Sequence, residues 1–240
     1  MNTFSITDMG RVRSSNQDCV LCEENAIGSF PNLFIVADGM GGHRAGDTAS
    51  RMCIDIVAES ICNTDKKTPV SAFEEAISAA NRAIYDESGR HTELSGMGTT
   101  MVAAMVEENT AVIVNIGDSR FYHMRDELRQ ITVDHSLVEE MVKSGEIHKE
   151  EMRTHPNKNI ITRALGTDTS VRPDCFEIGV REGDVLLLCS DGLNNMLEDN
   201  QIRKILQEHR GYIEQAGREL IRRANEAGGR DNISVILIEV

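Results

Sequence analysis

Four apolar runs of this chain each abut an aspartate. LFIVAD ends at Asp38 with Gly39 next, and VIVNIGD ends at Asp118 with Gly117 before it. VLLLCSD ends at Asp191 with Gly192 next, and GGRD sets Asp231 directly before ISVILIEV. Asp18, in RSSNQDCVLC, is a fifth candidate just before a strand-like run. A single Asp beside Gly is ordinary turn chemistry. Four of them, each joined to a run that reads as a buried strand, form a pattern that turns alone do not account for. Gly at such a point lets the backbone turn sharply and lets a ligand approach the main chain. If the strand ends meet in space the carboxylates crowd, and like charges a few ångströms apart cannot all stay ionised without a cation between them. Oxygen-only donors select hard ions, Mg2+ or Mn2+, over Zn2+. The seven histidines, at 43, 91, 123, 135, 148, 155 and 209, are scattered without zinc-ligand spacing.

A pair of hard cations held by carboxylates lowers the pKa of a bound water, which can then attack phosphorus in line. Phosphate monoesters hydrolyse so slowly unaided that such help is worthwhile. The phosphate dianion also needs a cationic clamp. Arg13 lies five residues before Asp18 in a Gly-, Ser- and Asn-rich turn, and its guanidinium fork can bind two phosphate oxygens at once. For a lone arginine the plain alternative is a solvated surface side chain.

The elements that must position these groups follow from residue patterning. Residues 4–9, 19–24 and 33–38 read as strands, and a Gly-rich turn follows at 39–42. Helical spacing of apolar residues marks 43–62 and 70–88, followed by a polar loop at 89–98. Short β-branched runs at 99–106, 110–116, 120–124 and 127–131 look like an antiparallel meander. The polar stretch 134–166, with a short helix near 137–144, reads as an insertion or lid. Strands return at 174–180 and 184–190, helices at 201–209 and 213–227, and a last strand at 233–240. Strands, two helices, strands, two helices, strand is not a βαβ alternation. It fits an α+β layered sandwich of antiparallel sheets with helices outside.

The chain has 240 residues, a net charge of −14, 40% hydrophobic residues, 4% aromatics and no Trp. That is enough apolar material for a substantial core of Ile, Val, Leu, Met and Ala, in one large domain or two small ones. The acid excess argues against nucleic acid as a partner and against a polybasic lipid-binding face. The longest pure apolar runs, such as 185–189, fall far short of the ~18 residues a membrane span needs. The first residues, MNTFSITDMGRVR, show no secretory pattern. The cysteines at 19, 22, 53, 62, 175 and 189 lack a disulfide-framework spacing. They read as reduced, mostly buried thiols of a cytoplasmic protein, with Cys19 and Cys22 on opposite faces of one strand.

These residues resemble a known family. DMGRVRSSNQD (8–18), LFIVADGMGGHRAGDTAS (33–50), GMGTT (96–100), NIGDSRFY (115–122), DHS (134–136), HPNKNIITRALG (155–166), LLLCSDGLNNML (186–197) and GGRDNISVILI (228–238) occur in order along nearly the whole chain. Together they are similar to the metal-dependent protein phosphatases, the type 2C protein Ser/Thr phosphatases, and look closest to their bacterial branch. The resemblance implies a four-layer α-β-β-α sandwich over 1–240 as one catalytic domain, with 134–166 as a flap beside the active site. It implies hydrolysis of phosphoserine and phosphothreonine in proteins by a metal-activated bridging water, with no phosphoenzyme. By motif position, Asp38 bridges two Mn2+ or Mg2+ ions and the Gly39 carbonyl binds one. Asp191 and Asp231 complete the first ion's shell, Asp18 acts through water, and Asp118 with Asp191 offers a weaker third site. Arg13 falls at the phosphate-binding arginine. The implied partners are phosphoprotein substrates and a cognate Ser/Thr protein kinase, with an anti-sigma antagonist as the next candidate substrate; a monomer is expected.

Two positions depart from many animal relatives. Gln17 replaces Glu, which weakens a direct metal role there, and Met40 stands where a proton-donating His follows Asp-Gly. His43 is a substitute donor or the start of a helix; water is the other donor. Other chemistries fit less well. Cys175 and Arg181 match Cys-x5-Arg, but the intervening FEIGV alternates like a strand and lacks the small residues of a phosphate loop. DGMGGHRAG lacks the Gly-Lys-Ser/Thr ending and the Gly-x-Gly-x-x-Gly spacing of nucleotide loops. The rival of another class is a catalytically weak phosphoprotein-binding scaffold of the same fold, whose mark would be loss of a metal Asp or of Arg13. All are present.

Overall fold

The computed structural model describes residues 1–42 and 45–240; His43, the substitute proton donor considered above, lies outside them. The strands are β1 Asn2–Asp8, β2 Asp18–Glu23, β3 Leu33–Met40, β4 Gly98–Thr99, β5 Met101–Glu107, β6 Thr110–Ile116, β7 Arg120–Met124, β8 Leu128–Gln130, β9 Asp174–Gly179, β10 Val185–Cys189 and β11 Ile233–Glu239. The helices are α1 Ala45–Asn63, α2 Pro69–Arg90, α3 Leu137–Ser144, α4 Asp191–Asn194, α5 Asp199–Glu208 and α6 Ile213–Glu226. One sheet runs β1-β11-β10-β7-β8. The other runs β2-β3-β5-β6-β9, with β4 paired to β3. The pairings are antiparallel throughout.

The period-2 alternation of the strands builds three apolar layers. On β3, Leu33, Ile35 and Ala37 pack under α1 and α2, while Phe34 and Val36 point between the sheets. On β10, Leu187 and Cys189 meet α5 and α6, while Leu186 and Leu188 face the other sheet. The result is helix pair, sheet, sheet, helix pair, the expected α-β-β-α order. Cys19 joins the α1–α2 layer and Cys22 the inter-sheet layer, the opposite faces that their spacing predicts. α1 lies close on β3 because its buried face is small: Ala45, Gly46, Ala49, Ser50 and Cys53. α2 starts at Pro69 with Thr68 Oγ1 accepting from the Ser71 N–H, an N-cap with proline in the first turn.

The structure departs from the expected meander. β5 and β6 belong to one sheet and β7 and β8 to the other, so residues 117–119 are a crossover, not a hairpin turn. Gly117, at φ 104°, makes this change of direction, in a region closed to most L side chains. Ile113 and Phe121 then face the same inter-sheet core from opposite sides. Spacing cannot distinguish this from a meander, because both need a short polar connection.

Two further expectations are corrected. Gly39 and Met40 are not in a turn: they extend β3 and pair with Thr99 and Gly98, so Asp38 lies inside the strand. Asp191 does not end a strand but opens the short helix α4. The six cysteines are free thiols, yet only Cys53 and Cys189 are buried; Cys19 and Cys22 are half-buried and Cys62 and Cys175 exposed. Truncating the inter-sheet core at Leu188→Ala should cost about 2–5 kcal/mol, read as a lower urea midpoint at unchanged m value.

Candidate active site

The expected residues gather at one end of the sandwich. Arg13, Asp38, Gly39, Asp118, Asp191 and Asp231 line one cavity of about 270 Å³. Asp18 does not line it. It stands opposite Asp38 in the β2–β3 ladder and is buried behind it, 6% exposed.

The contacts that hold these aspartates come from several elements. Ser190 Oγ and Ser234 Oγ both donate to Asp18 Oδ2 at 2.7 Å. Ser190 follows β10 and Ser234 lies in β11, so this bond pair ties one sheet to the other below the cavity. Asn195 Nδ2 donates to Asp191 Oδ2 at 2.8 Å, four residues along. The Asp231 carboxylate accepts from Arg13 Nη2 at 2.7 Å and from the Asn232 N–H at 2.9 Å. The Asp38 backbone is clamped by the GMGTT stretch: Thr100 Oγ1 accepts from its N–H, and the Thr99 hydroxyl donates to its carbonyl. The crossover carrying Asp118 is pinned by Gly117, whose N–H donates to His135 Nδ1 at 3.0 Å. Gln17 serves here through its backbone: its N–H donates to Asn232 Oδ1, and its carbonyl accepts from the Gly39 N–H and from Ser50 Oγ. Gly192 is required at its position because a Cβ there would collide with the Asn232 carbonyl oxygen.

Among the described residues, three buried carboxylate oxygens have no hydrogen-bond partner: Asp18 Oδ1, Asp118 Oδ1 and Asp191 Oδ1. Burial, then the neighbouring carboxylates, hold Asp38 and Asp191 well above the usual range. Burial pushes Asp18 up to about 6. Burial, with Asp134 next, pushes Asp118 up to about 7. Unpartnered buried oxygens and mutual repulsion are what a divalent cation relieves, and the all-oxygen donor set fits Mn2+ or Mg2+. The carboxylates ring a space: among the described residues no three close on one point, and the cavity is wide enough for several water-sized groups.

A family model for protein phosphatase 2C matches residues 11–237. The chain belongs to the protein phosphatase 2C family. It is 43% identical to the serine/threonine phosphatase stp of Listeria monocytogenes serotype 4b, over 97% of this chain and 93% of that protein. The S. agalactiae serine/threonine phosphatase superposes with a TM-score of 0.92 at 39% identity, covering 100% of this chain and 99% of that one. The catalytic domain of the phosphatase PstP, in complex with 2 manganese ions, gives 0.86 at 35% identity, covering 99% and 97%. The family is metal-dependent.

Sequence reasoning did not single out Ser190, Ser234, Thr100, Asn195 or Asn232. Asn195 carried a readable signal, being four residues after Asp191 at a helix start; the serines carried none.

An unfolded aspartate ionises near 4, whereas folded Asp18 and Asp118 keep their protons to about 6 and about 7. The folded state therefore binds protons more tightly, and metal-free stability falls as pH rises from about 4 through about 7. The melting temperature of EDTA-treated protein should drop between about pH 5 and about pH 7.5. Asp118→Asn should remove part of that drop, and saturating Mn2+ should reverse it in the wild type.

Proposed function

We propose that this chain is a metal-dependent protein serine/threonine phosphatase that acts on phosphoserine and phosphothreonine in proteins. The observation that carries the reading is the convergence of Asp38, Asp118, Asp191, Asp231 and Arg13 on one cavity, with an unpartnered buried oxygen on Asp118 and on Asp191 among the described residues. Asp38, Asp191, Asp231 and the Gly39 carbonyl would hold two hard cations, Asp18 would act through water, and Asp118 with Asp191 would form a weaker third site. Bound there, the ions supply Lewis-acid activation of a water for in-line attack on phosphorus.

The chain's own residues do the rest. Asp231 holds one end of the Arg13 guanidinium, so the fork is already placed at the cavity when phosphate arrives. Asn195 keeps Asp191 in one orientation with Oδ1 unpartnered. Ser190 and Ser234 do the same for Asp18. Met40 lines the cavity and has no proton to give. Among the described residues that line it there is no His, Lys, Tyr or Cys, and water is the proton donor for the leaving alkoxide in this reading. The segment 134–166 acts as a flap: Asn159 and Ile161 reach the cavity from it. A Ser/Thr protein kinase is the class of enzyme that must supply the substrate. Among the described residues no helix is long and apolar enough to cross a membrane.

Wild-type protein with Mn2+ should hydrolyse a phosphothreonine peptide, and EDTA should abolish the activity. Asp38→Asn and Asp191→Asn should fall to background. Arg13→Ala should lose about 10²–10³-fold in kcat/KM, the scale of losing one charge-stabilising donor. No phosphorylated residue should be trapped during turnover. Tight phosphopeptide binding by a folded, Mn2+-loaded protein without hydrolysis would instead support the scaffold.

A further inference from the structure

Beside the carboxylate cavity lies a wider cleft of about 640 Å³. Asp118 and Asp191 line both spaces, so the cleft opens directly onto the reacting end of the molecule. Its volume is in the range of ligand sites and suits several side chains of a peptide. One wall is the stretch 149–158 that follows α3; the other is the turn between α4 and α5.

The charges of this cleft are divided between its walls. Its carboxylates, Asp118, Asp134, Glu139, Asp191, Glu198 and Asp199, all lie off the 149–158 wall. Asp134 takes a forked contact from Arg120, the closest at 2.7 Å. Asp199 accepts from Tyr122 Oη at 3.1 Å, and Glu198 caps α5. Apart from Arg120, its cations Lys149, Arg153 and Lys158 all stand on the 149–158 wall and have no carboxylate partner among the described residues. Arg153 donates to the carbonyls of Leu197 and Asn195 at 3.3 and 3.2 Å, tying the flap wall across to the opposite turn. Lys158 Nζ reaches only Asn195 Oδ1, at 3.5 Å. Lys149 is exposed at the same cleft. A molecule with a net charge of −14 repels acidic peptides at long range, so such a peptide needs local cations where it docks.

Building on the phosphatase reading above, we propose that this cleft is a subsite for an anionic side chain of the substrate. The anion, a carboxylate or a second phosphate, lies within a few residues of the phosphoresidue being hydrolysed. Lys149 and Lys158 receive it, and Arg153 both adds charge and holds the wall that carries them. The preference is electrostatic and partly exposed, so it weakens as salt screens it.

The test uses the full chain with Mn2+ and three phosphothreonine peptides: neutral flanks, Asp/Glu flanks, and one flanking phosphoserine. p-Nitrophenyl phosphate serves as a substrate too small to reach the cleft. At low ionic strength kcat/KM should be about 3- to 10-fold higher for an anionic peptide than for the neutral one, the scale of one or two partly exposed charge pairs. The ratio should fall towards about 1 at high salt and in the Lys149→Gln/Lys158→Gln variant. A gain for both anionic peptides assigns the subsite to anions generally, and a gain only for the second phosphate assigns it to phosphate. Equal kcat/KM for all three peptides, or a ratio unchanged in the double variant, overturns the subsite while leaving the phosphatase reading intact. Absence of Mn2+-dependent turnover on every substrate, p-nitrophenyl phosphate included, overturns both.

Discussion

Mutual repulsion among buried carboxylates is the constraint around which this fold is arranged. Asp18, Asp38, Asp118, Asp191 and Asp231 come from separate parts of the chain and influence one another at one end of the sandwich. Nothing in local propensity favours bringing them together, and each pays a desolvation cost as it arrives. The two-sheet core supplies the compensating energy. Three apolar layers of fully buried Ile, Val, Leu and Phe hold the strand ends in place whatever their tips carry. The functional end is therefore strained electrostatically and the body is not, which is how a site can be prepared in advance of its ions.

The way the carboxylates are restrained matters as much as their proximity. Among the described residues, Asp231 alone of the five is matched by a cation, Arg13; Asp18 and Asp191 are gripped on one oxygen by neutral hydroxyl and amide donors. A neutral donor fixes orientation without cancelling charge, so the second oxygen remains an acceptor. Had Lys or Arg held these groups, the charge that attracts a divalent ion would be spent inside the protein. The Ser190–Asp18–Ser234 contact adds a mechanical role, since it is a polar tie between sheets that meet largely through apolar side chains.

Net charge and local charge give opposite impressions of the partner. The chain is acidic overall, yet Lys149, Arg153 and Lys158 beside the reacting end have no carboxylate partner among the described residues. Coulombic interactions over a Debye length of roughly 8 Å weigh near groups heavily and far ones little. The placement of a few cations therefore decides what docks, and the thirty-nine acidic residues mainly set how the molecule behaves in solution.

Much of this was legible in the residues. Period-2 runs such as LFIVAD and VLLLC, and 3.6-period stretches such as α6, report burial directly, because a half-buried strand or helix must repeat its apolar residues at its own geometric period. The Asp-Gly pairs and Arg13 announced oxygen ligands and a phosphate clamp through chemistry that needs those residue types. Long-range position was not legible. That β6 and β7 sit in different sheets depends on how Ile113 and Phe121 share a core. That Asp18 is buried behind the cavity depends on Ser190 and Ser234, distant in sequence and ordinary in type. The charge pattern of the cleft depends on which wall carries Lys149, Arg153 and Lys158 and on the pairing of Arg120 with Asp134. By itself the sequence determined most element types and the kinds of side chain offered at the site, since these are properties of residues and their near neighbours. Only the tertiary structure decided which oxygens stay unpartnered and which cations stay unmatched, because pairing is a property of the space the folded chain leaves between residues far apart along it.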